Sequence, residues 1–294
     1  MHTDSLYKRL LYSFASLLPD SIWLRMKYYK TYHRNINLKK PLLFSEKLQW
    51  IKMHDHNPLY TVMVDKVDAK DYVAEKIGKE HIIPTIKVWG KAEEIDFDIL
   101  PEEFVIKATH DSGRVVVCKD KKSLDCDKVR KDMEISLKRN FYNITREWPY
   151  KNVKPRIIAE QYIDQPGGLV DYKFYCFNGY VDCVMACLDR ASGKPKFYFF
   201  DKDWKLMPLN QRSIDAPADF HVDKPKNLDR MFEIASILSK GIPFVRVDLY
   251  NVEGKIYFGE LTFFPAGGND PNRLPSSDKR WGDLMDLNLV KKRN

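Results

Sequence analysis

Residues 244–268, FVRVDLYNVEGKIYFGELTFFPAGG, constrain the fold more than any other stretch of this chain. They read as two strands joined by a turn, with Arg246, Asp248 and Glu260 embedded in an otherwise apolar β pattern. A carboxylate carried into such a layer needs a partner or a metal, because burying it unpaired is expensive. The residue types suggest Mg²⁺ held by Asp248 and Glu260, with Arg246 beside it on an anionic ligand. Mg²⁺ takes oxygen ligands and is commonly shared between one or two carboxylates and substrate phosphates. Side chains alternate along a strand, so Arg246 and Asp248 share a face, as do Glu260 and Thr262. For Asp248 and Glu260 to converge, the turn must hold an odd number of residues or one strand must bulge. Gly254 is the residue expected to supply the bulge. An edge hairpin whose charges face water is the plain alternative.

The rest of the chain supplies helices and further hairpins. Residues 1 to about 80 read as mostly helical, and Leu6, Leu10, Leu11, Phe14 and Leu17 keep helical spacing. That first stretch is expected to cover the core. With Lys8, Arg9, Arg25, Lys27 and Lys30 close by, a membrane-surface helix is the alternative. It lacks a long apolar segment and a small-residue cleavage site, so it is not read as a signal peptide. VDAKDYVAEKIG reads as a helix ended by Gly78. Strands are predicted over 82–89, 104–109, 115–119, 157–163, 172–177, 181–188 and 196–200, and helices over 124 to about 140 and 228–239. Asn178-Gly179 between two strands is the strongest hairpin signal. Antiparallel hairpins interleaved with helices indicate an α+β protein. There is no GxGxxG, no GxxxxGK[ST] and no HExxH.

Composition narrows the partners. The 294 residues carry a net charge of +8, which favours an anionic partner, and 44% are hydrophobic, enough for a sizeable core. The basic residues are spread along the chain, which argues against nucleic acid. No apolar run approaches the roughly 18 residues that suggest a membrane span. The five cysteines are odd in number and form no CxxC, so free thiols in a reducing cytoplasm are expected.

Several motifs ahead of the terminal hairpin carry chemistry. Lys107 ends the apolar run FVIK, and the loop after it holds Ser112-Gly113 before returning into VVV. A small, flexible loop lets backbone N–H groups approach phosphate oxygens, while a lysine adds a point charge. Glu160 closes the strand of IIAEQYI, an end that can offer backbone groups to an adenine edge. Asp171 and Lys173 follow in DYKFYCFNG.

That order of lysine, glycine loop, acidic strand end, second acid and lysine, then Arg…Asp…Glu resembles the ATP-grasp superfamily. The finer wording (FSEKLQW, YVAEKIG, FVIKATHDSG, REWPY, PRIIAEQYI, DYKFYCFNG, FVRVDLY, IYFGELTFFPAGG) resembles the TupA-like ATP-grasp family, named for a teichuronopeptide biosynthesis protein, from about residue 44 to 287. The resemblance implies an α+β, ATP-grasp fold with two α+β lobes enclosing the nucleotide, behind a mostly helical N-terminal region (1–80). The ATP-grasp domain would be 81–294, with a small lobe at about 100–160 and a large lobe at about 161–294. It implies ATP and Mg²⁺ as cofactors. Lys107 would contact the α- and β-phosphates, and Ser112 and Gly113 would belong to the phosphate-covering loop. Glu160, Gln161, Tyr162 and Ile163 would form the adenine-binding segment, and Asp171 would meet the ribose hydroxyls. Lys173 would point at the phosphates, Arg246 would stabilise the transferring phosphoryl group, and Asp248 and Glu260 would hold Mg²⁺. Arg190 would bind a phosphate or carboxylate. Thr262 stands where many ATP-grasp enzymes carry a metal-binding asparagine, and would be a third, weaker ligand to the metal.

The activity expected from this resemblance is a carboxylate–amine ligase of surface-polysaccharide biosynthesis. It would join an anionic carbohydrate or other carboxylate to an amine, in the cytoplasm or at the inner face of the membrane beside the polysaccharide machinery. A sugar kinase, a glycosyltransferase and an inactive nucleotide-binding scaffold are the alternatives. Asp96-Phe-Asp98, Asp125-Cys-Asp127 and Asp201-Lys-Asp203 are the DxD matches a glycosyltransferase would use.

Overall fold

A computed structural model describes residues 18–111, 114–165, 168–189 and 192–291, with Lys291 described by its backbone alone. The first expected helix, at Leu6–Leu17, lies outside these residues. Helices at Asp20–Tyr32, Phe44–His54, Leu59–Val64 and Asp68–Ile77 make the N-terminal region, and Gly78 ends the last of them at φ 104°.

Two antiparallel sheets follow. The first has the order β1-β4-β2-β3, with β1 Thr85–Trp89, β2 Phe104–Ala108, β3 Val115–Cys118 and β4 Ile157–Gln161. β1 starts three residues later than predicted, after Pro84, which has no N–H to give a ladder. One face of this sheet buries Phe104, Ile106, Ile157 and Ala159 beneath Val129 and Met133 of the helix Cys126–Leu137. The alternate residues Lys107 and Glu160 are left on the other face.

The second sheet has the order β10-β9-β5-β6-β7-β8, with β5 Asp171–Phe177, β6 Tyr180–Leu188, β7 Lys196–Phe200, β8 Leu206–Met207, β9 Val245–Val252 and β10 Lys255–Thr262. The predicted Asn178-Gly179 turn joins β5 to β6, both residues at positive φ. The helix Leu228–Ser239 spans the residues predicted for it, and its Phe232 meets Phe174 edge-on at 5.1 Å.

The terminal hairpin corrects one expectation. Glu253 and Gly254 form a plain two-residue turn, both at positive φ, with Lys255 opposite Val252. The register slips instead between Phe258 and Glu260. Gly259 is therefore the extra residue, not Gly254. A Cβ there would stand 3.0 Å from the Asp248 carbonyl oxygen. Without the slip Gly259 would oppose Asp248, and Glu260 would point to the far face.

The motif FSEKLQW turns out to dock the N-terminal region. Ser45 donates through its backbone and its hydroxyl to buried Asp278, both at 2.7 Å. Lys47 gives its ammonium to the Gly282 and Met285 carbonyls, each at 2.7 Å. Asp278 and Gly282 lie on the helix Pro275–Leu284, which no sequence pattern announced. That helix is anchored to β6 by Asp182, which accepts from Arg280 Nη2 at 2.6 Å and from Trp281 Nε1 at 3.0 Å. Gly282 sits under the backbone of residues 42–44. An added Cβ would collide with the Leu42 carbonyl oxygen and stand 2.9 Å from Phe44 N. Gly282→Ala is therefore expected to cost about 1–3 kcal/mol by forcing the two helices apart. A urea midpoint unchanged from wild type would contradict this docking.

Candidate active site

β5, β9 and β10 lie side by side, and their registers set Lys173, Asp248 and Glu260 in one row and Tyr175, Arg246 and Thr262 in the next. The opposite face carries Phe174, Val247 and Leu261, all buried. Period-two alternation thus separates an apolar face from an ionic one. Arg246 donates to both oxygens of Asp248, from Nε at 2.7 Å and Nη2 at 2.6 Å. The same Nη2 lies 3.2 Å from Glu260 Oε1 and 3.0 Å from Thr262 Oγ1. Thr262 donates its own proton to Glu260 at 2.9 Å. Lys173 donates to Asp248 Oδ2 at 2.5 Å and lies 3.5 Å from Asp171, which is buried at the start of β5.

These groups differ in exposure. The Asp248 side chain is 3% exposed and that of Glu260 is 47% exposed. Burial raises the Asp248 carboxyl above its ordinary value against the pull of Arg246 and Lys173. At Glu260 burial also opposes ionisation, yet the charges of Arg246, Lys66 and Lys173 hold the carboxyl down to about 2. The two carboxylates and the Thr262 hydroxyl converge on one point, where a guanidinium nitrogen now stands. Oxygen donors gathered round a cation fit a hard ion such as Mg²⁺. Among the described residues no three histidine, cysteine or acidic side chains gather for a metal, so such an ion would draw its other ligands from elsewhere.

A second ionic group lies on the first sheet. Glu160 is buried between Lys107, which it contacts directly, and Lys70, whose ammonium is 2.5 Å from Oε1. Gln161 ends β4 and donates to the Pro84 carbonyl at 3.0 Å. Tyr162 and Ile163 lie in the stretch that leaves β4 for β5, half-buried. Lys66 is the link between the two groups. Its ammonium donates to the Asp111 carbonyl at 2.8 Å, at the start of the loop after Lys107, and its charge is felt by Glu260. Burial lowers its pKa. Ser112, Gly113 and Arg190 lie outside the described residues.

Glu260 of the ionic row, with Arg246 and Thr262 of the next, opens on a cavity of about 610 Å³. Arg246, Glu260, Thr262 and Lys66 line one part of it. Phe141, Tyr150 and Phe264 supply aromatic wall, and Lys27 and Lys30 come from the N-terminal helix. REWPY contributes Glu147 and Tyr150, and FFPAGG contributes Phe264, Ala266 and Gly267. Arg146 is buried and paired with Asp20 at 2.9 Å, holding REWPY to that helix. Lys52 is buried beneath, donating to the carbonyls of Thr145 at 2.8 Å and Gly267 at 2.6 Å. Burial pushes the Glu147 carboxyl up to about 7 and the Lys52 ammonium down to about 8.

Sequence reasoning missed Lys66, Lys70 and Glu147 as site residues. The signals available were Lys66 beside an acidic residue at a helix start and the charged pair of REWPY; nothing local linked either to the hairpin. His110, beside the predicted phosphate loop, is buried against the Arg139 carbonyl at 3.0 Å.

A family model described as TupA-like ATPgrasp matches residues 46–286. No curated protein matches the chain. Among solved structures, D-alanine–D-alanine ligase from Bacillus anthracis is similar at 18% identity, covering 79% of this chain and 70% of that one, with a TM-score of 0.45. The ATP-grasp ligase PsnB, in complex with minimal precursor, Mg and ADP, is similar at 11% identity over 85% of this chain and 66% of that one, TM-score 0.43. D-cycloserine synthetase DcsG is similar at 15% identity over 81% and 72%, TM-score 0.41.

Asp248 is the shared anion of two largely buried cations. Asp248→Asn should therefore cost about 3–5 kcal/mol, the range for breaking a buried pair from one side. Glu260→Gln, at a half-exposed position, should cost less than about 1 kcal/mol. Urea melts of the two variants test this contrast, and equal losses would show that Asp248 does not hold β5 to β9.

Proposed function

This chain belongs to the TupA-like ATP-grasp family, and from that premise we propose that it is an ATP- and Mg²⁺-dependent carboxylate–amine ligase. ATP-grasp enzymes use ATP, typically with Mg²⁺. The observation that carries the proposal is the ionic row of Lys173, Asp248 and Glu260 with Arg246, whose Glu260 and Arg246 border a cavity large enough for a sugar- or amino-acid-sized substrate. In this reading the small lobe runs from about 100 to 160 and the large lobe from about 161 to 294, behind the helical residues 1–80.

Lys107 contacts the α- and β-phosphates, with Ser112 and Gly113 in the covering loop. Glu160, Gln161, Tyr162 and Ile163 receive the adenine, and Asp171 the ribose. Asp248 and Glu260 would hold Mg²⁺, which would offset charge on the phosphates. Thr262 orients Glu260 through its hydroxyl. A substrate carboxylate attacks the γ-phosphorus and ADP leaves. Lys173 and Arg246 stabilise the charge that develops there, and Arg190 adds a contact to phosphate or carboxylate. The amine then displaces phosphate from the acyl-phosphate and leaves an amide. The protein's part is positioning and electrostatics, with no side-chain nucleophile.

The substrate class we propose is a uronic acid or amino acid destined for a surface glycan, handled in the cytoplasm or at the inner face of the membrane. The net charge of +8 suits such anions. Among the described residues no helix is long and apolar enough to cross a membrane.

The DxD matches give a glycosyltransferase no support. Asp96 accepts from the Asp98 backbone, Asp125 caps its helix through Lys128 N, and Asp201 accepts from Asp203 N, each at 2.9 Å. All three spend a carboxylate on local backbone, as turn and cap residues do.

Nucleotide binding has a direct test. Mg-ADP should stabilise the folded chain, by about 2.7 kcal/mol at a hundredfold excess over Kd. Lys107→Ala should shrink the melting shift, and the absence of any shift at millimolar Mg-ADP would sink the assignment. The chemistry has its own test. With an ¹⁸O-labelled uronate, ATP and a competent amine, label should appear in the released phosphate, because the carboxylate oxygen that attacks phosphorus leaves with it. Unlabelled phosphate alongside amide excludes the acyl-phosphate route, and a phosphorylated product without free phosphate marks a kinase.

A further inference from the structure

Glu147 is a charged cavity residue that the roles above leave unused. It is 3% exposed and lines the cavity. The charges of Lys52 and Lys27 act on it from nearby, but among the described residues neither forms a direct ion pair with it. Lys52 spends its ammonium on the carbonyls of Thr145 and Gly267, and Lys27 donates to the Ile144 carbonyl at 3.1 Å. Its backbone N–H donates to the Thr145 hydroxyl at 3.4 Å, and that hydroxyl gives its proton to the Phe141 carbonyl at 3.1 Å. A buried carboxylate without a close counter-ion is costly to keep. A ligand ammonium would supply the direct counter-ion contact that neither lysine makes.

The rest of the cavity says which ligand. Arg246 and Glu260 mark the end where phosphoryl transfer would occur. Tyr150 lines the same cavity and feels the charges of these two and of Glu147. Lys27 and Lys30 add positive charge from the N-terminal helix, Lys30 being exposed. A molecule bearing both an ammonium and a carboxylate matches this arrangement, with its ammonium on Glu147 and its carboxylate toward Lys27 and Lys30.

Resting on the ligase reading above, we propose that Glu147 receives the amine substrate, an amino acid, binding its ammonium and taking one proton from it so that the nitrogen can attack the acyl-phosphate carbon. The balance is closed. The ammonium loses one proton to Glu147, and the free amine forms the C–N bond. The tetrahedral adduct then breaks its C–O bond to phosphate, and the second nitrogen proton leaves with that phosphate. Burial, which holds the Glu147 carboxyl near neutrality, suits it to accept a proton at working pH.

Hydroxylamine separates the two halves of the reaction. It is largely unprotonated at neutral pH and traps an acyl-phosphate as a hydroxamate without help from a base. Wild type, Glu147→Gln and Glu147→Asp would be incubated with Mg-ATP and a set of uronates and amino acids. Hydroxylamine serves first as the acceptor, then glycine, alanine or glutamate. Glu147→Gln should make hydroxamate within about twofold of wild type while amide formation falls about a hundredfold or more. Glu147→Asp, which keeps the charge, should recover part of the amide rate. An equal melting shift with Mg-ADP shows that the variants are folded. Equal loss of hydroxamate and amide would overturn the inference, since Glu147 would then serve activation or packing. Undiminished amide formation in Glu147→Gln overturns it as well. If wild type yields no hydroxamate from any carboxylate, the ligase reading falls and takes this inference with it.

Discussion

The bidentate pair between Arg246 and Asp248 is the interaction on which the site depends. Both side chains project from the same face of β9, two residues apart, so the strand alone brings them together. Lys173 from β5 and Glu260 from β10 then close on that pair from either side. Neither neighbour could do so in an arbitrary register. The slip at Gly259 turns Glu260 toward Asp248, and a side chain at that position would press on the Asp248 carbonyl. One small residue therefore decides whether the second carboxylate joins the site or faces the apolar layer.

The N-terminal region is tied to this hairpin. Helix Phe44–His54 bonds to the C-terminal helix through Ser45 and Lys47, and to the turn after β10 through Gln49 and Lys52. Lys52 also reaches the Thr145 carbonyl, so one buried ammonium joins three distant segments. The cavity lies among these segments rather than inside either sheet. Its shape follows from the docking of the helices, and its chemistry follows from the hairpin.

Much of the fold was legible because its signals are local. Hairpin turns, period-two strands and the helix Leu228–Ser239 depend on residues close in sequence, and the structure reproduces them within a few residues. The bulge was legible as a necessity but not as a place. Both Gly254 and Gly259 can serve, and only the close approach of the Asp248 carbonyl singles out Gly259. Lys66 and Lys70 were not legible as site residues because their partners, Asp111 and Glu160, are distant in sequence. The same holds for the helix Pro275–Leu284. Its buried Ser277 and Asp278 break the apolar pattern, and both are satisfied by distant partners.

Thr262 has a role of its own at the position where the ATP-grasp resemblance led to the expectation of asparagine. A hydroxyl has one proton, and here it goes to Glu260, while a lone pair accepts from Arg246. The residue links the arginine to the carboxylate and fixes the orientation of both. Asparagine could also donate to Glu260 and accept from Arg246, but through a longer, planar side chain that would stand further out from β10. Thr262 and Glu260 line the same cavity as Tyr150 and Glu147. The hydroxyl thus ties Glu260 to Arg246 at the wall of the cavity, where a single short side chain serves both partners.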